Sequence, residues 1–192
     1  MRRALYLLTG NRHKVEEIRE VAKRYGVEIL PVDGYKLEIQ SDSLEEIAVT
    51  GAYIAHIMLK KPVLVEDAGL FIEALRGFPG PYSNYVYKTI GIHGILKLME
   101  GIEERRACFK SAAAIVDGRV FLVATGEVCG FITREPRGSG GFGFDPIFTP
   151  GDQASWRTFA EMNVVEKNRY SHRARAVEIV LQKYLSLLEK TV

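Results

Sequence analysis

The chain has 192 residues, of which 47% are hydrophobic, 26% charged and 10% aromatic, which is the composition of an ordinary folded domain. These values exclude a disordered or fibrous protein, and the length suffices for one sizeable core without stabilising disulfides or structural metals. Lys and Arg total 26 against 24 Asp and Glu. The resulting net charge of +2 is too small for non-specific nucleic-acid binding, so an anionic partner must be held locally.

The N-terminal segment bears on the cellular compartment, and the two cysteines bear on metal binding and redox state. Residues 4–8 are the longest apolar run near the N-terminus and are shorter than a signal-peptide core or a membrane span. We therefore expect a cytoplasmic protein with no membrane partner. Cys108 and Cys129 lack CxxC spacing and a nearby pair of histidines, which disfavours zinc. Small buried thiols are the preferred interpretation, and a disulfide stays open.

The first half of the chain predicts alternating strands and helices. Residues 4–8 indicate a buried strand, and the helix that follows has apolar residues at Val15, Ile18, Val21, Ala22 and Tyr25. Ser43 and Glu46 form a capping-box pattern before a second helix, which Pro62 ends. Its apolar stripe is Leu44, Ile47, Ala48, Gly51, Ile54, Ala55 and Met58. Residues 63–65 predict a second buried strand that ends where the polar and flexible residues 66–69 begin.

The second half predicts a long hairpin and a C-terminal helix. Two β-rich runs within residues 107–132 flank Asp117-Gly118, a dipeptide favoured in tight turns. After a glycine-rich loop at residues 138–143, one helical face carries Ala174, Val177, Val180, Leu181, Tyr184, Leu185 and Leu188. Helices alternating with strands, plus one hairpin, predict a single α/β domain over residues 1–192 with a mixed sheet.

The segment between the first strand and the first helix, residues 9–14, suits an anion. Unpaired N–H groups and the helix dipole favour negative charge there, and Lys14 adds a full positive charge. The spacing is neither the Walker pattern nor GxGxxG. A phosphate site and a plain Asn-capped turn are therefore equally open.

Three carboxylates accompany apolar segments, at Glu38, Glu66 and Asp67. Asp67 lies where the predicted strand ends, which is where α/β sheets position ligand-binding groups. Two such carboxylates suit Mg²⁺, which bridges hard oxygen ligands to substrate phosphates. The alternative is that they are solvated acids, and this alternative is stronger for Glu38, whose segment has no firm pattern.

Two later segments indicate a flat and polar ligand. Residues 140–148 alternate aromatic rings with glycine, which lets backbone and a ring approach a base, although an aromatic hairpin edge packed on the core fits equally. Lys167, His172 and Arg173 bring donors to the start of the last helix, which suggests an anionic or carbonyl-rich ligand. A Ser171 N-cap followed by a solvated histidine and arginine is the alternative.

Five motifs together resemble the inosine triphosphate pyrophosphatase family over nearly the whole chain. They are TGNRHK at 9–14, VEDAGL at 65–70, FPGPYS at 78–83, GFGFDPIF at 141–148 and EKNRYSHRARA at 166–176. The resemblance implies Mg²⁺-dependent hydrolysis of ITP, dITP and XTP to the nucleoside monophosphate and pyrophosphate. It also implies a long mixed sheet with two lobes around a cleft, and a homodimer.

Carried over by position, the resemblance implies a role for each matching residue. The triphosphate would contact Thr9, Gly10, Asn11, Arg12, His13, Lys14, Ala68 and Lys167. Glu38 and Asp67 would hold magnesium, and Asp67 would also activate the attacking water. The base and sugar would be held by Phe142, Gly143, Phe144 and Asp145, with Phe144 stacked on the purine and with His172 and Arg173 donating to the base edge.

The chain departs from the family pattern at three places. Ala68 replaces a common Ser or Thr, which removes one phosphate donor, and Phe144 replaces a common Tyr or Trp, which is nearly neutral for stacking. A lysine that many members carry before the VED strand is missing from residues 51–55. Neither Tyr53 nor Lys60 is assigned its role.

Two other functions stay open from the sequence. One is a pyrophosphatase of the related Maf type, which acts on pyrimidine or modified triphosphates. The other is a non-catalytic nucleotide-binding protein, against which Asp67 and Lys14 argue, because binding alone requires no general base.

Overall fold

The structure is a computed structural model that describes residues 3–32, 39–152 and 155–190. The elements are β1 (Arg3–Leu8), α1 (Arg12–Lys23), β2 (Val27–Val32), α2 (Leu44–Leu59), β3 (Val63–Ile72), β4 (Pro79–Gly80), α3 (Ser83–Thr89), α4 (Gly91–Leu98), β5 (Arg106–Val116), β6 (Phe121–Ile132), β7 (Phe148–Pro150), α5 (Val164–Tyr170) and α6 (His172–Glu189). Short 3₁₀ turns span Glu73–Leu75, Asp145–Ile147 and Phe159–Glu161.

The strands form one seven-stranded mixed sheet in the order β2-β1-β3-β5-β6-β7, and β4 pairs with β3 off this path. β1 pairs in parallel with β2 and β3, whereas β3–β4, β3–β5, β5–β6 and β6–β7 are antiparallel. The α/β class with a mixed sheet is confirmed.

Apolar side chains divide the core into three clusters. On one face, α1 and α6 pack on Leu64 and its neighbours. Farther along the same face, a second cluster joins Leu70 to α4 and to the aromatic residues between β6 and α5. On the opposite face, α2 packs on Val63 and Val65. The two clusters on the first face form two lobes, and the space between them is the cleft described below.

The predicted helical stripes largely form these clusters. The stripes of α1 and α6 are buried or half-buried as predicted. In α2 the predicted stripe is wrong at Met58, which is 69% exposed. Ile54 of the stripe is only half-buried, whereas Ala52, which was not part of the stripe, is buried. Ser43 caps α2 by accepting from Glu46 N–H, but the Glu46 carboxylate accepts from Ser41 Oγ, so that only half of the predicted capping box forms.

The prediction that the second strand ends at residues 66–69 is wrong. β3 runs to Ile72 because β5 pairs with it along its whole length, which satisfies the backbone groups of these polar residues. Gly69 permits the pairing with β4, since a Cβ there would lie 2.2 Å from the Gly80 carbonyl oxygen. Asp67 therefore lies in the middle of a strand, opposite Ala112, and not at a strand end.

The β5–β6 hairpin is confirmed, with a longer turn than the dipeptide predicts. Residues 117–120 connect the strands, and Asp117 Oδ1 accepts from the N–H groups of Arg119 and Val120. Gly118 alone among the turn residues has positive φ, at 84°.

The prediction of small buried thiols is wrong. Cys108 and Cys129 face each other across β5 and β6 and form a disulfide, with Cys129 exposed and Cys108 half-buried. Paired sulfurs at an exposed hairpin position cannot act as small core side chains. Over the described ranges, no helix has the length and apolar character needed to cross a membrane.

Candidate active site

A cleft of about 640 Å³ lies between the two lobes. Its floor is the stretch of sheet where Glu66 on β3 and Ser111 on β5 interrupt the apolar face between Leu64 and Leu70. Polar side chains at this point separate the two apolar clusters. Residues from six segments line the cleft: Thr9, Gly10, Asn11, Arg12, Lys14, Glu66, Asp67, Ala68, Gly69, Pro81, Ser83, Asn84, Tyr87, Lys88, Phe109, Phe142, Gly143, Phe144, Asp145, His172 and Arg173.

The β1–α1 loop is both a capped turn and a cleft wall. Asn11 is the N-cap of α1, and its Oδ1 accepts from the N–H groups of His13 at 3.0 Å and Lys14 at 3.3 Å. Asn11 N–H donates to Thr9 Oγ1. Three N–H groups of the loop are thus used internally, so the side-chain cations of Arg12 and Lys14 are the prominent features this loop brings to an anion.

Glu66 is held by three partners at the floor of the cleft. Its Oε2 lies 3.0 Å from Lys14 Nζ, and its Oε1 accepts from Ser111 Oγ at 2.6 Å and lies 3.1 Å from Arg173 Nε. Burial by itself raises the pKa of Glu66, but the charges of Arg173 and Lys14 and the Ser111 hydrogen bond outweigh it and hold the pKa below its ordinary value. Glu66 is an ionised, neutralised carboxylate.

Asp67 follows Glu66 in β3, so its side chain leaves the opposite face of the strand. Asp67 is 8% exposed and lines the cleft. The two adjacent carboxylates therefore have different surroundings despite their proximity in sequence.

Behind the cleft, Glu17 of α1 joins two cations from the C-terminal part of the chain. Lys167 Nζ donates to Glu17 Oε1 and to Asp145 Oδ2, both at 2.6 Å, and Arg173 Nη1 donates to Glu17 Oε2. Glu17 was not among the residues predicted for the site. Its signal is position, because it lies four residues before the buried Val21 on the apolar side of α1.

Glu17, Glu66, Asp145, Lys167 and Arg173 are named here the buried ion cluster. Burial raises the pKa of Glu17, yet the charges of Arg173 and Lys167 lower it overall. Burial raises the pKa of Asp145, and Glu17 adds to this effect against the charge of Lys167. Burial lowers the pKa of Arg173, but Glu66 and Glu17 raise it overall, so the guanidinium stays charged.

The aromatic end of the cleft is built on a tight turn. Phe142 N–H donates to Asp145 Oδ2 at 2.8 Å, and Gly141 has φ of 68°, where a Cβ would lie 2.2 Å from that oxygen. His13 stacks on Phe142 with ring centroids 5.4 Å apart. Phe144 is only 2% exposed, and its ring packs edge-on against Tyr87 at 5.5 Å.

His172 and Arg173 are buried at the start of α6, so the solvated arrangement is wrong even though Ser171 does cap the helix. The His172 ring stacks on Phe109 at 4.8 Å. Burial and the neighbouring Arg173 charge lower the pKa of His172 well below its ordinary value, so the imidazole is neutral. Its Nδ1 is buried without a hydrogen-bond partner among the described residues, which equips it for a polar ligand.

The opposite side of the cleft, called here the α3 wall, comprises Pro81, Ser83, Asn84, Tyr87 and Lys88. Ser83 Oγ donates to Gly80 O at 2.7 Å and accepts from Leu70 N–H at 2.8 Å, which fixes the start of α3 to β3. The FPGPYS motif indicates this region, but its residues received no role from the sequence.

The structure brings most of the predicted site residues to the cleft. His13 and Lys167 are absent from the cleft lining within the described part of the chain, and Lys167 is 3% exposed behind it. Glu38 lies outside the described residues.

The fold is α/β, and its cleft brings cationic side chains together with aromatic and polar ones. The chain belongs to the Ham1 family, whose model matches residues 5–183. It is 52% identical over 174 residues to the dITP/XTP pyrophosphatase of Hyperthermus butylicus, covering 91% of this chain and 90% of that one. The dITP/XTP pyrophosphatase of Thermococcus kodakarensis is 53% identical over 173 residues, covering 90% and 92%.

A solved structure supports the same family assignment. A HAM1 protein from Coxiella burnetii superimposes with a TM-score of 0.80 at 28% identity, covering 96% of this chain and 99% of that one. The family resemblance drawn from five motifs is confirmed.

Proposed function

We propose that this protein hydrolyses non-standard purine nucleoside triphosphates, such as ITP, dITP and XTP, to the monophosphate and pyrophosphate. The observation that carries the proposal is one cleft that joins Asp67 and the cations of the β1–α1 loop to an aromatic end with His172 and Arg173. The names of the relatives, which are dITP/XTP pyrophosphatases, support the same reaction.

The reaction requires water to attack the α-phosphorus while negative charge builds on the leaving pyrophosphate. Asp67 orients this water and takes its proton as general base. Arg12 and Lys14 contribute positive charge to the phosphates, and the ion pair with Glu66 holds the Lys14 ammonium in place. Positioning and electrostatic stabilisation supply most of the rate in phosphoryl transfer.

A divalent metal fits the donors of this cleft, and we propose Mg²⁺. Glu66 is already neutralised by Lys14 and Arg173, so Asp67 is the described carboxylate better suited to hold the ion. Glu38, expected as its second ligand, lies outside the described residues. When held by Asp67, Mg²⁺ would supply positive charge that neutralises the phosphates and would act as a Lewis acid.

Base selection follows from fixed donors. Hypoxanthine and xanthine present a carbonyl at position 6, where adenine presents an amino group. His172, as a neutral imidazole, and the charged Arg173 offer N–H groups to that carbonyl. Adenine would leave buried donors unpaired, which makes its rejection strong.

The proposal extends to assembly and location. The family resemblance implies a homodimer, and we also propose a cytoplasmic location. Light scattering tests the dimer, with an expected mass of twice the 21.5 kDa of one chain. A mass of one chain at assay concentration would reject it.

The deciding assay incubates the purified protein with Mg²⁺ and, separately, ITP, XTP, GTP, ATP and dTTP. Pyrophosphate and orthophosphate are measured independently. We expect pyrophosphate, mainly from ITP and XTP. Orthophosphate would show attack at the γ-phosphorus, preference for dTTP would support the Maf type, and binding of ITP without product would support a non-catalytic protein.

A further inference from the structure

The cations of the cleft differ in whether a carboxylate already neutralises their charge. Arg12, Lys14, Lys88 and Arg173 line it. Lys14 faces Glu66, and Arg173 faces both Glu17 and Glu66. Among the residues that the structure describes, Arg12 and Lys88 are the lining cations without a carboxylate partner. Lys88 was given no role from the sequence.

Lys88 is an exposed charge on a helix whose backbone is held in place. It is exposed in the last turn of α3, one turn after Asn84, which lines the same wall. Val86 of α3 is buried in the second lobe, and the Ser83 hydrogen bonds hold the helix to β3. The backbone of the wall is thus fixed, while a flexible four-carbon stem lets the ammonium reach into the cleft.

The ligand chemistry that matches this group is phosphate. The base and sugar of ITP carry no formal charge, so an exposed ammonium finds its counter-charge only on the triphosphate. The β- and γ-phosphates hold most of that charge. The reacting α-phosphorus must lie near Asp67, and the remaining charge then needs cations that Glu66 and Glu17 have not neutralised.

We propose that Lys88 is a substrate-positioning residue that binds the β- and γ-phosphates, the part of the substrate that leaves as pyrophosphate. This inference rests on the proposed function, because it assumes a nucleoside triphosphate in the cleft. It assigns the α3 wall to the leaving group, opposite the loop that carries Arg12 and Lys14.

Lys88→Gln tests the inference against Lys97→Gln, which removes an exposed lysine of α4 that is outside the cleft lining. For Lys88→Gln we expect the KM for ITP to rise about tenfold, as for loss of one charged hydrogen bond. Inhibition by added pyrophosphate should weaken by a similar factor, whereas inhibition by IMP stays unchanged. Lys88→Arg should restore most of the affinity, and added salt should narrow the difference.

Two results would overturn the inference. One is Lys88→Gln behaving as Lys97→Gln does. The other is weakened inhibition by IMP with unchanged inhibition by pyrophosphate, which would place Lys88 on the nucleoside.

Calorimetric titration with inorganic tripolyphosphate separates this inference from the proposed function. It measures the phosphate contact without turnover. If the wild type releases no pyrophosphate but the Lys88→Gln variant binds tripolyphosphate more weakly than the wild type, the proposed activity is overturned and the phosphate contact is kept. Normal turnover with unchanged tripolyphosphate binding would overturn the contact alone.

Discussion

The buried ion cluster, at the floor of the cleft and behind it, and the α3 wall, which lines the cleft, differ in almost every physical respect. The five charged side chains of the cluster are each no more than 4% exposed, and every one contacts an opposite charge. Asn84, Tyr87 and Lys88 of the wall are exposed. The cluster holds its donors in fixed positions before a ligand arrives, whereas the wall can adjust to the ligand.

This contrast assigns specificity and affinity to different parts of the proposed site. Fixed, buried donors can discriminate between bases, because a donor that a base leaves unmatched cannot form a hydrogen bond to water instead. An exposed cation also adds affinity for an anion. Salt screens this contribution, which depends little on the exact position of the charge. We therefore expect damage to the cluster to lower stability and selectivity, and damage to the wall to change substrate affinity.

The largest effect is expected for Asp67→Asn, which changes the β3 carboxylate that lines the cleft beside Glu66. The amide cannot accept the proton of the attacking water, so turnover of ITP should fall by roughly 10²–10⁴. The measurement is initial-rate pyrophosphate release at saturating ITP and Mg²⁺, with circular dichroism to confirm the fold.

Asp42→Asn is the matched control, since Asp42 is exposed and outside the cleft lining. Its turnover should equal that of the wild type. Near-normal turnover of a folded Asp67→Asn variant would remove Asp67 from the mechanism.

The next largest effect is expected for Glu66→Gln, which breaks the cluster. It leaves Arg173 and Lys14 without their shared carboxylate, and removal of one partner from a buried ion pair costs about 3–5 kcal/mol. Denaturant unfolding at pH 7 measures the loss. Glu28→Gln makes the same change at an exposed strand position and should alter the free energy of unfolding by less than about 0.5 kcal/mol.

The pH dependence of this difference tests its electrostatic origin. The pKa of Glu66 is lower in the folded protein than the ordinary value of 4.5, so its stabilisation is complete above pH 4.5 and is lost as the pH falls further. Glutamine does not titrate. The gap in unfolding free energy between wild type and Glu66→Gln should therefore shrink below about pH 4.5, and a constant gap would show that packing is the cause.

Local patterns predicted the parts of the fold that local physics determines. The stripes of α1 and α6 and the two strands of the hairpin follow from periodicity. The continuation of β3 through residues 66–69 does not, because the partner that satisfies this polar backbone is β5, some forty residues away. Pairing between distant strands overrides the local preference for a turn.

Turn length explains why the predicted hairpin left the disulfide between Cys108 and Cys129 open. A two-residue turn at Asp117-Gly118 would place Cys108 opposite Glu127. The connection observed over residues 117–120 shifts the register by two residues and places Cys108 opposite Cys129. A correct hairpin with the wrong turn length thus conceals a bond between its strands.

The family motifs predicted more residues of the candidate site than did arguments from the chemistry and position of single residues. Motifs brought Lys167, His172 and Arg173 to one region, but Lys167 meets Glu17 across 150 residues of sequence, and no local signal joins that pair. Glu17 is visible only as a charge on the apolar side of α1. Such a charge requires a buried partner, and only the folded chain identifies it.

The smallest effect is expected on the α3 wall, for Tyr87→Ala. Tyr87 is 41% exposed and packs edge-on against Phe144 at 5.5 Å, a contact whose loss should lower the free energy of unfolding by about 1 kcal/mol. Tyr85→Ala, at a 69% exposed position of the same helix, should change it by less than about 0.5 kcal/mol. Denaturant unfolding of both variants measures the difference. A loss for Tyr87→Ala as large as that for Glu66→Gln would contradict the contrast between the two regions, because the wall would then contribute as much to the stability of the fold as the buried ion cluster.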